Sequence, residues 1–334
     1  MSTSTWSAKG RYRPPPDVAR PRISLRKVAV ALLLAALFAA PFAAHVLDNP
    51  HVLAVASRLV IMAIAAVGLN LVLGFGGLVS LGHAAYLGVG AYAVGILAHH
   101  GVQSGWLQFA VAMAACALIA LVIGALSLRT RGVYFIMVTL AFAQMLYFVG
   151  VGLAPYGGDD GLTIHARSQF GAWLPLHDQY VFYGLCLALL IAVAAGIHVI
   201  RRSPFGLVLL GAASNERRVK AIGYPVYRYQ LAAYVISGLI CGVAGMLLAN
   251  LNNFASPSMM HWTRSAELVI MLILGGTATV LGPLFGAAAL LTLEELLSSH
   301  THYWQAALGL LLLLAIRFAR GGIDGLLAGG RHGR

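Results

Sequence analysis

The sequence has 334 residues, of which 60% are hydrophobic and only 10% are charged, with a net charge of +12. A soluble domain carries about a quarter charged residues, so this composition excludes an ordinary soluble protein and indicates an integral membrane protein. The positive charge does not indicate nucleic-acid binding, because the basic residues lie in loops between apolar runs and form no basic face with interleaved aromatic residues.

Residues 1–27 form a basic leader with seven Lys/Arg, one acid and the run Pro14-Pro15-Pro16, and they are predicted to be a disordered cytoplasmic tail. Apolar segments suited to about eight to ten transmembrane helices follow. The ten segments span residues 28–47, 58–74, 83–98, 106–128, 132–153, 179–200, 229–251, 265–281, 284–298 and 303–316. The sequence therefore predicts an all-α, polytopic transmembrane helical bundle over residues 28–320, with a second basic cytoplasmic tail over residues 321–334.

The distribution of Lys and Arg predicts which helix ends face the cytoplasm. With ten spans and a cytoplasmic N-terminus, only Arg58, Arg167 and Arg264 of the 22 Lys/Arg fall on the outer side. Cytoplasmic loops of membrane proteins are enriched in Lys and Arg, so both termini are predicted to be cytoplasmic. The largest predicted outer loop, residues 154–178, is too small to capture a solute by itself.

The membrane interior carries little charge, and no Asp, Glu, Lys or Arg occurs from Leu59 to Leu128. Proton-driven carriers need ionisable groups at mid-depth, so proton coupling is disfavoured, whereas sodium coupling through backbone carbonyls stays open. Glycines interrupt the apolar runs at residues 68–83 and 274–283, and irregular backbone at this depth must be buried in protein or line a wet cavity. The candidate residues for a translocation path are Asn70, Ser80, His83, Tyr86 and Gln144. The alternative is that the glycines permit close packing and the polar groups bond across helices.

The one long polar interval in the C-terminal half, residues 203–229, carries helix start and stop signals. Ser203 suits an N-cap and Pro204 the first helical position. Gly223 suits the left-handed turn that closes a helix. The segment predicts a cytoplasmic surface helix at about residues 204–223, which is either a docking site for another protein or a basic loop that only fixes topology.

Small residues recur at every fourth position in the seventh predicted span. Such a ladder lets helix backbones approach closely, with a neighbour in the same chain or in a second subunit. The ladder consists of Ser237, Cys241, Gly245 and Ala249.

The sequence predicts no cofactor, metal site or catalytic constellation. It contains no GxxxxGK[ST] motif, so any ATP would be hydrolysed by a partner protein. No two of the 12 histidines sit at helical ligand spacing with an acid between them. The three cysteines lie within apolar runs and are interpreted as small core residues.

Three segments of the sequence resemble the branched-chain amino acid ABC transporter permease family, in particular the longer of its two permease types. The first is GLNLVLGFGGLVSLGHAAYLGVGAYAVGIL (68–97), and the second is LRTRGVYFIMVTLAFAQML (128–146). The third, residues 202–289, begins RSPFGLVLLGAASNERRVKAIGYP. With their spacing, the three segments cover nearly everything except the tails.

The resemblance implies an importer in the bacterial inner membrane rather than an enzyme. Its partners would be a second homologous permease, two ABC ATPase subunits that use ATP and Mg, and a periplasmic solute-binding protein that largely sets the solute. Close relatives import urea and short amides, which is an alternative function, and a stand-alone ion-coupled carrier or channel is another. The resemblance also implies an ATPase-coupling helix between Ala212 and Gly223, with Ala212, Ala213, Asn215, Glu216, Arg217, Ala221 and Gly223 as its residues.

Overall fold

A computed structural model describes residues 25–46, 48–171, 176–277, 279–300, 303–318 and 322–327. This part of the chain is mainly helical. Its α-helices are α1 (Leu25–Val46), α2 (Pro50–Asn70), α3 (His83–His99), α4 (Gly105–Ser127), α5 (Val133–Gly152), α6 (Gln179–Arg202), α7 (Pro204–Ala221), α8 (Val226–Asn252), α9 (Trp262–Gly275), α10 (Gly282–His300), α11 (Trp304–Phe318) and α12 (Gly322–Leu327).

Shorter elements connect some of these helices. A π-helical turn, Leu71–Phe75, extends α2, and 3₁₀ turns lie at Ala154–Tyr156, Gly158–Asp160 and Pro257–Met260. Two-residue strands β1 (Leu162–Thr163) and β2 (Phe254–Ala255) pair antiparallel, with Leu162 opposite Ala255.

Six helices of the described chain are long and apolar enough to cross a membrane, as the prediction of a polytopic helical bundle requires. They are Val28–Val46, His51–Phe75, Gly105–Ser127, Val133–Gly152, Gln179–Arg202 and Val226–Asn252. The other four predicted spans correspond to α3, α9, α10 and α11. Of these, α3, α9 and α11 have 17, 14 and 15 residues and are shorter than the roughly 20 residues that cross a bilayer unaided.

Helix α8 lies at the centre of the bundle, packed against α2, α3 and α4. Its small residues form these contacts. A methyl group at Gly245 would overlap the carbonyl oxygen of Leu87 in α3, and one at Gly242 would press on Cys116 of α4. Cys241 and Ala249 are fully buried, and the Cys241 thiol donates to the carbonyl oxygen of Ala65 in α2. The ladder of small residues therefore packs against other helices of the same chain.

This close approach yields a stability prediction with a matched control. Gly245→Ala is expected to lower the melting temperature of the detergent-solubilised protein, because α3 and α8 must separate to admit the methyl group, and overpacking costs about 1–3 kcal/mol. Gly184→Ala in α6 meets nothing within 4 Å and is expected to leave the melting temperature unchanged or slightly raised. Equal melting temperatures for the two variants would contradict the packing described.

The helix ends group into two faces of the bundle. One, here called the α7 face, joins the ends of α2, α4 and α6 to the start of α8. There the Tyr227 hydroxyl donates to the Ala125 carbonyl at 3.0 Å, and the Arg201 guanidinium lies 5.6 Å from the centre of the Phe75 ring. Towards the opposite face, Arg58 in the N-terminal half of α2 pairs with Glu294 in the C-terminal half of α10 at 3.2 Å.

The basic residues separate between these faces as the charge pattern predicted. Among the described side chains, the Lys and Arg of the opposite face are Arg58, Arg167 and Arg264. The Arg264 guanidinium pairs with the Glu267 carboxylate at 2.9 Å. The Lys and Arg at the α7 face are Arg129, Arg131, Arg201, Arg202, Arg217, Arg218, Lys220 and Arg228.

Helices α9 and α10 form a tight hairpin. Its glycines permit this, because a methyl group at Gly275 would overlap the carbonyl of Gly282, and one at Gly286 that of Met271. Helix α12 packs on the turn of the hairpin, where Gly322, with φ +67°, lies against the backbone of Gly276. Residues 322–327, which fall in the segment predicted from charge to be a tail, are therefore part of the packed bundle.

Candidate functional site

Helix α7 begins with the cap that the sequence predicted. The Ser203 hydroxyl accepts a hydrogen bond from the Gly206 N–H at 3.4 Å, and Pro204 occupies the first turn, where it needs no N–H partner. At the other end, Gly223 has φ +96°, the left-handed conformation that glycine adopts without steric cost. Pro225 prevents α7 from continuing, and α8 begins at the next residue, Val226.

The predicted single helix over residues 204–223 is interrupted, which corrects the prediction. Asn215 has φ −158° and ψ 94°, so α7 consists of two short helices meeting at this residue. The Asn215 side chain accepts a hydrogen bond from the Arg218 N–H at 3.0 Å and caps the second helix. Asparagine competes for backbone groups in this way and favours caps over helix interiors, which explains the break.

Glu216 fixes the second half of α7 to the α4–α5 loop. Its carboxylate lies 2.9 Å from the Arg131 guanidinium and 2.7 Å from the Lys220 ammonium, and the Glu216 side chain is 22% exposed. Arg131 follows the end of α4, so a motion of α7 would act on the α4–α5 loop through this shared carboxylate.

Helix α7 has one buried side and one exposed side. Ala212 and Val219 are buried with Val208 and Val226, which attach α7 to α8. The Ile222 side chain, by contrast, is 69% exposed. The remaining predicted coupling residues that are exposed are Ala213, Asn215, Arg217, Ala221 and Gly223.

A second candidate site lies inside the bundle, where the backbone between α2 and α3 is not α-helical. Five residues form a π turn and residues 76–82 have no regular structure. Of the predicted path residues, Ser80, His83 and Tyr86 come together here, and all three are fully buried.

His83 connects two serines in a continuous hydrogen-bond chain, here called the His83 relay. The Ser237 hydroxyl donates to the Gly68 carbonyl at 2.7 Å, so it must accept from Nε2–H of His83, 2.9 Å away. The Ser80 hydroxyl accepts from the Gly82 N–H at 3.2 Å and donates to Nδ1 of His83 at 3.0 Å. The relay is satisfied by a neutral imidazole with its proton on Nε2, and it joins α2, α3 and α8.

Two tyrosines pack around the relay without using their hydroxyls. The rings of Tyr86 and Tyr234 lie 5.7 Å and 5.3 Å from the His83 ring in edge-to-face geometry, and 6.1 Å from each other. Within the described residues, neither buried hydroxyl has a hydrogen-bond partner. Two buried hydroxyls of the site thus have no hydrogen-bond partner among the residues that the structure describes.

The other two predicted path residues lie apart from the relay. The Asn70 side-chain amide donates to the Thr279 carbonyl at 2.7 Å, which joins the two glycine-rich breaks. Gln144 lies on α5, partly buried, and its Oε1 has no partner in the described part of the chain.

The sequence interpretation missed Tyr234 and also Thr139 of α5, whose hydroxyl accepts a hydrogen bond from the Leu81 N–H at 3.3 Å. The sequence holds one weak signal for each residue. Thr139 is a polar residue in an otherwise apolar run, and Tyr234 precedes Ser237 by nearly one helical turn.

Comparison with known proteins decides the family. Residues 51–316 match the family described as "Branched-chain amino acid transport system / permease component". The chain belongs to this permease family. The permease is similar to the "High-affinity branched-chain amino acid transport system permease protein LivM" of Escherichia coli (strain K12), at 26% identity over 90% of this chain and 76% of the relative.

Two further relatives extend the comparison. The permease is similar to the LivM protein of Salmonella typhimurium, at 26% identity over 78% of this chain and 67% of the relative. It is also similar to the "Probable ABC transporter permease protein y4mJ" of Sinorhizobium fredii, at 25% identity over 55% of this chain and 56% of the relative. No solved structure matches the permease significantly.

The cysteines and acids of the permease do not form a metal centre in the residues that the structure describes, where no group of three or more His, Cys, Asp or Glu is suitably placed. Cys116, Cys186 and Cys241 are free and buried. Their burial in apolar surroundings agrees with the interpretation of small core residues.

The His83 relay predicts a stability effect. Ser237→Ala is expected to destabilise the permease by about 1–3 kcal/mol, because it leaves Nε2–H of His83 without an acceptor in the core. Ser214→Ala removes an exposed hydroxyl that bonds only the Leu210 carbonyl one turn back, and it serves as the control. Thermal unfolding of the solubilised protein, followed by circular dichroism, measures both; a Ser237→Ala midpoint as high as that of the control would argue against the relay.

Proposed function

We propose that this permease is the membrane subunit of an ATP-binding cassette importer in the bacterial inner (plasma) membrane. It forms half of the translocation path for branched-chain or other hydrophobic amino acids, which a periplasmic binding protein delivers. The family match over residues 51–316 supports the transport role, and the two LivM relatives and the y4mJ relative, named as an ABC transporter permease, support the amino acids and the ATP-driven mechanism.

Two ATPase subunits and a second homologous permease complete the assembly. The free energy of ATP binding and hydrolysis reaches this permease through α7. The observation that carries this proposal is the shape of α7: a kinked surface helix whose buried side is packed on α8 and whose exposed side presents Ile222 at 69% exposure beside Arg217 and Arg218. An exposed isoleucine framed by charges suits a groove on a soluble partner. ATP and Mg are bound by the partners.

The proposed topology has ten spans with both termini in the cytoplasm, on the α7 face. The separation of basic residues between the two faces supports this orientation. The C-terminal end of the described chain agrees, because Gly322 lies against the α9–α10 turn, and Thr279 of that turn bonds Asn70 at the end of α2. Helices α3, α9, α10 and α11 are the four additional spans, α9 and α10 acting as a short hairpin.

The opposite face receives the binding protein. The contacts of Ser168 on this face support this assignment. The Ser168 N–H and hydroxyl bond Oδ1 of Asn250 in α8 at 2.8 Å and 2.9 Å, and the same hydroxyl lies 2.5 Å from Oε1 of Gln108 in α4. All three side chains are buried, so the loop is anchored to two helices. A fixed platform loses little conformational entropy when a partner docks.

Transport then follows a cycle in which the partner proteins bind the two states of the permease with different affinities. ATP binding closes the ATPases and displaces α7 as a rigid body, and the Glu216 contact carries this displacement to the α4–α5 loop. The path opens to the docked binding protein, and hydrolysis resets it. The segment from Leu59 to Leu128 contains no Asp, Glu, Lys or Arg. This suits a translocation path for amino acids with uncharged side chains that is not driven by a proton gradient.

Affinity purification of the tagged full-length chain from its native membranes tests the assembly. We expect two ATPase subunits and one second permease to co-purify, and leucine uptake by the same cells to require the ATPase genes. A chain that purifies without an ATPase, from cells whose leucine uptake is unaffected by its deletion, would refute the proposed function.

A further inference from the structure

Helix α6 presents one exposed stripe that ends in a charged residue at the α7 face. The stripe has four exposed members at intervals of four, four and three positions, which places them on one side of the helix: Ile191, Ala195, Val199 and Arg202. The Val199 side chain is 67% exposed. On a helix that crosses the membrane, such an apolar stripe faces the acyl chains of the lipid. Arg202 therefore continues the lipid-facing side of α6.

The length of α6 places Arg202 at the level of the lipid headgroups. The helix has 24 residues and is thus about 36 Å long, whereas the hydrocarbon core of a bilayer is about 30 Å thick. The ends of α6 therefore extend beyond the acyl chains. Because arginine side chains near helix ends also reach towards the interface, the Arg202 guanidinium can contact phosphate groups of the leaflet at the α7 face.

The turn between α6 and α7 packs beside the first turn of α8. The Phe205 ring lies 5.5 Å from the Tyr229 ring, which lies 6.3 Å from the Tyr224 ring. Arg228, which is exposed, directly precedes Tyr229. These four residues and Arg202 are here called the α6–α8 corner. Tyrosine is enriched where a bilayer meets water, because its ring is apolar and its hydroxyl is polar.

The two arginines of the α6–α8 corner are not neutralised by the described chain. The ion pairs at the α7 face join Arg131 and Lys220 to Glu216. Within the described residues, the side chains of Arg202 and Arg228 form neither an ion pair nor a hydrogen bond. A guanidinium with free N–H groups binds a phosphate through two parallel hydrogen bonds, so this pair of arginines suits a phosphate-containing ligand.

Helix α7 divides at Asn215 into an apolar half and a charged half, and the α6–α8 corner adjoins the apolar half. Residues 204–213 contain no charged side chain, and Leu207 among them is 64% exposed. Charged side chains occur only beyond Asn215, near Ile222, on the surface proposed for the ATPase. Exposed aliphatic residues beside arginines are typical of segments that lie in the membrane interface. The chemistry of the corner therefore favours a lipid over a soluble protein.

We propose that the α6–α8 corner binds an anionic phospholipid. Arg202 and Arg228 donate hydrogen bonds to its phosphodiester, and the Tyr224 hydroxyl, on a side chain that is 46% exposed, donates at the same level. The acyl chains lie along the α6 stripe from Val199 to Ile191. A zwitterionic lipid carries a cation of its own, so an anionic headgroup is favoured where two arginines have no acidic partner in the described chain.

Native mass spectrometry of the purified full-length chain measures this binding with phosphatidylglycerol as the probe. No ATPase is present, so the outcome does not depend on the proposed function. The double variant Arg202→Gln with Arg228→Gln is expected to raise the dissociation constant for phosphatidylglycerol about 30-fold, since each arginine near an anionic interface contributes about fivefold. Its melting temperature without anionic lipid should equal that of the wild type, because neither side chain has a partner in the described chain.

The matched control is the double variant Arg217→Gln with Arg218→Gln, which removes the same charge from the same face but lies beyond Asn215. We expect it to weaken phosphatidylglycerol binding less than about threefold. If the first double variant does not fold, Arg202→Gln alone tests the site, with an expected loss of about fivefold. Equal weakening by the two double variants would overturn the proposal. Equal affinity of the wild type for phosphatidylcholine would do the same, as would displacement of the lipid by millimolar inorganic phosphate, which would indicate a free-anion site.

Discussion

The Glu216→Lys variant is expected to lose solute-stimulated ATP hydrolysis in the assembled importer while it still inserts into the membrane. The wild-type carboxylate accepts from Arg131 and Lys220, and the substitution places three cations together where α7 meets the α4–α5 loop. Arg131 and Lys220 are 64% and 48% exposed, and exposed ion pairs contribute about 0–1 kcal/mol each. The loss of coupling would therefore not reflect global unfolding.

A charge exchange separates coupling from a general effect of added positive charge. The double variant Glu216→Lys with Arg131→Glu restores an ion pair between α7 and the α4–α5 loop, and it should recover a substantial part of the stimulated ATPase activity. Arg131→Glu alone should be nearly as impaired as Glu216→Lys. Normal stimulation in the Glu216→Lys complex would contradict the coupling role of α7.

The second large effect is expected at Ile222. Its side chain is an aliphatic group at the end of α7 that is 69% exposed. Ile222→Asp should weaken ATPase binding at least about 30-fold, because loss of a buried interface anchor costs about 2 kcal/mol or more. The measurement is the dissociation constant of the purified ATPase for the permease in nanodiscs.

The matched control for Ile222→Asp is Arg202→Gln at the end of α6. Arg202 is also exposed on the α7 face, so its substitution changes the local charge by the same amount but lies outside α7. We expect an effect of less than about threefold from this rim position. Equal weakening by the two variants would indicate a general electrostatic attraction instead of a specific anchor.

Much of α7 could be predicted from the sequence, because its determinants are local. Ser203, Pro204 and Gly223 each act through the backbone within one turn, and the structure has the cap and the positive φ that these residues predict. The interruption at Asn215 was missed, since asparagine in a polar helix is common and its competition with the backbone depends on surroundings that a pattern does not contain.

The buried site was predictable only in part, because its contacts join residues distant in the sequence. The glycine-rich pattern correctly indicated irregular backbone between residues 68 and 83. Ser80, His83 and Tyr86 lie together there, and their role in a translocation path stays a prediction. The partners Ser237 and Tyr234 come from α8, more than 140 residues away, and no periodicity connects them to His83. The bond between Asn70 and Thr279 also joins residues that are distant in the sequence. It connects the two glycine-rich breaks, and the sequence pattern did not predict that these breaks are in contact.

Leucine uptake into proteoliposomes tests most directly whether this chain depends on partners for its driving force. We expect no uptake with the permease alone under any ion gradient, and uptake in the full assembly that requires ATP and a loaded binding protein. Accumulation of leucine by vesicles that contain only this chain would contradict the account.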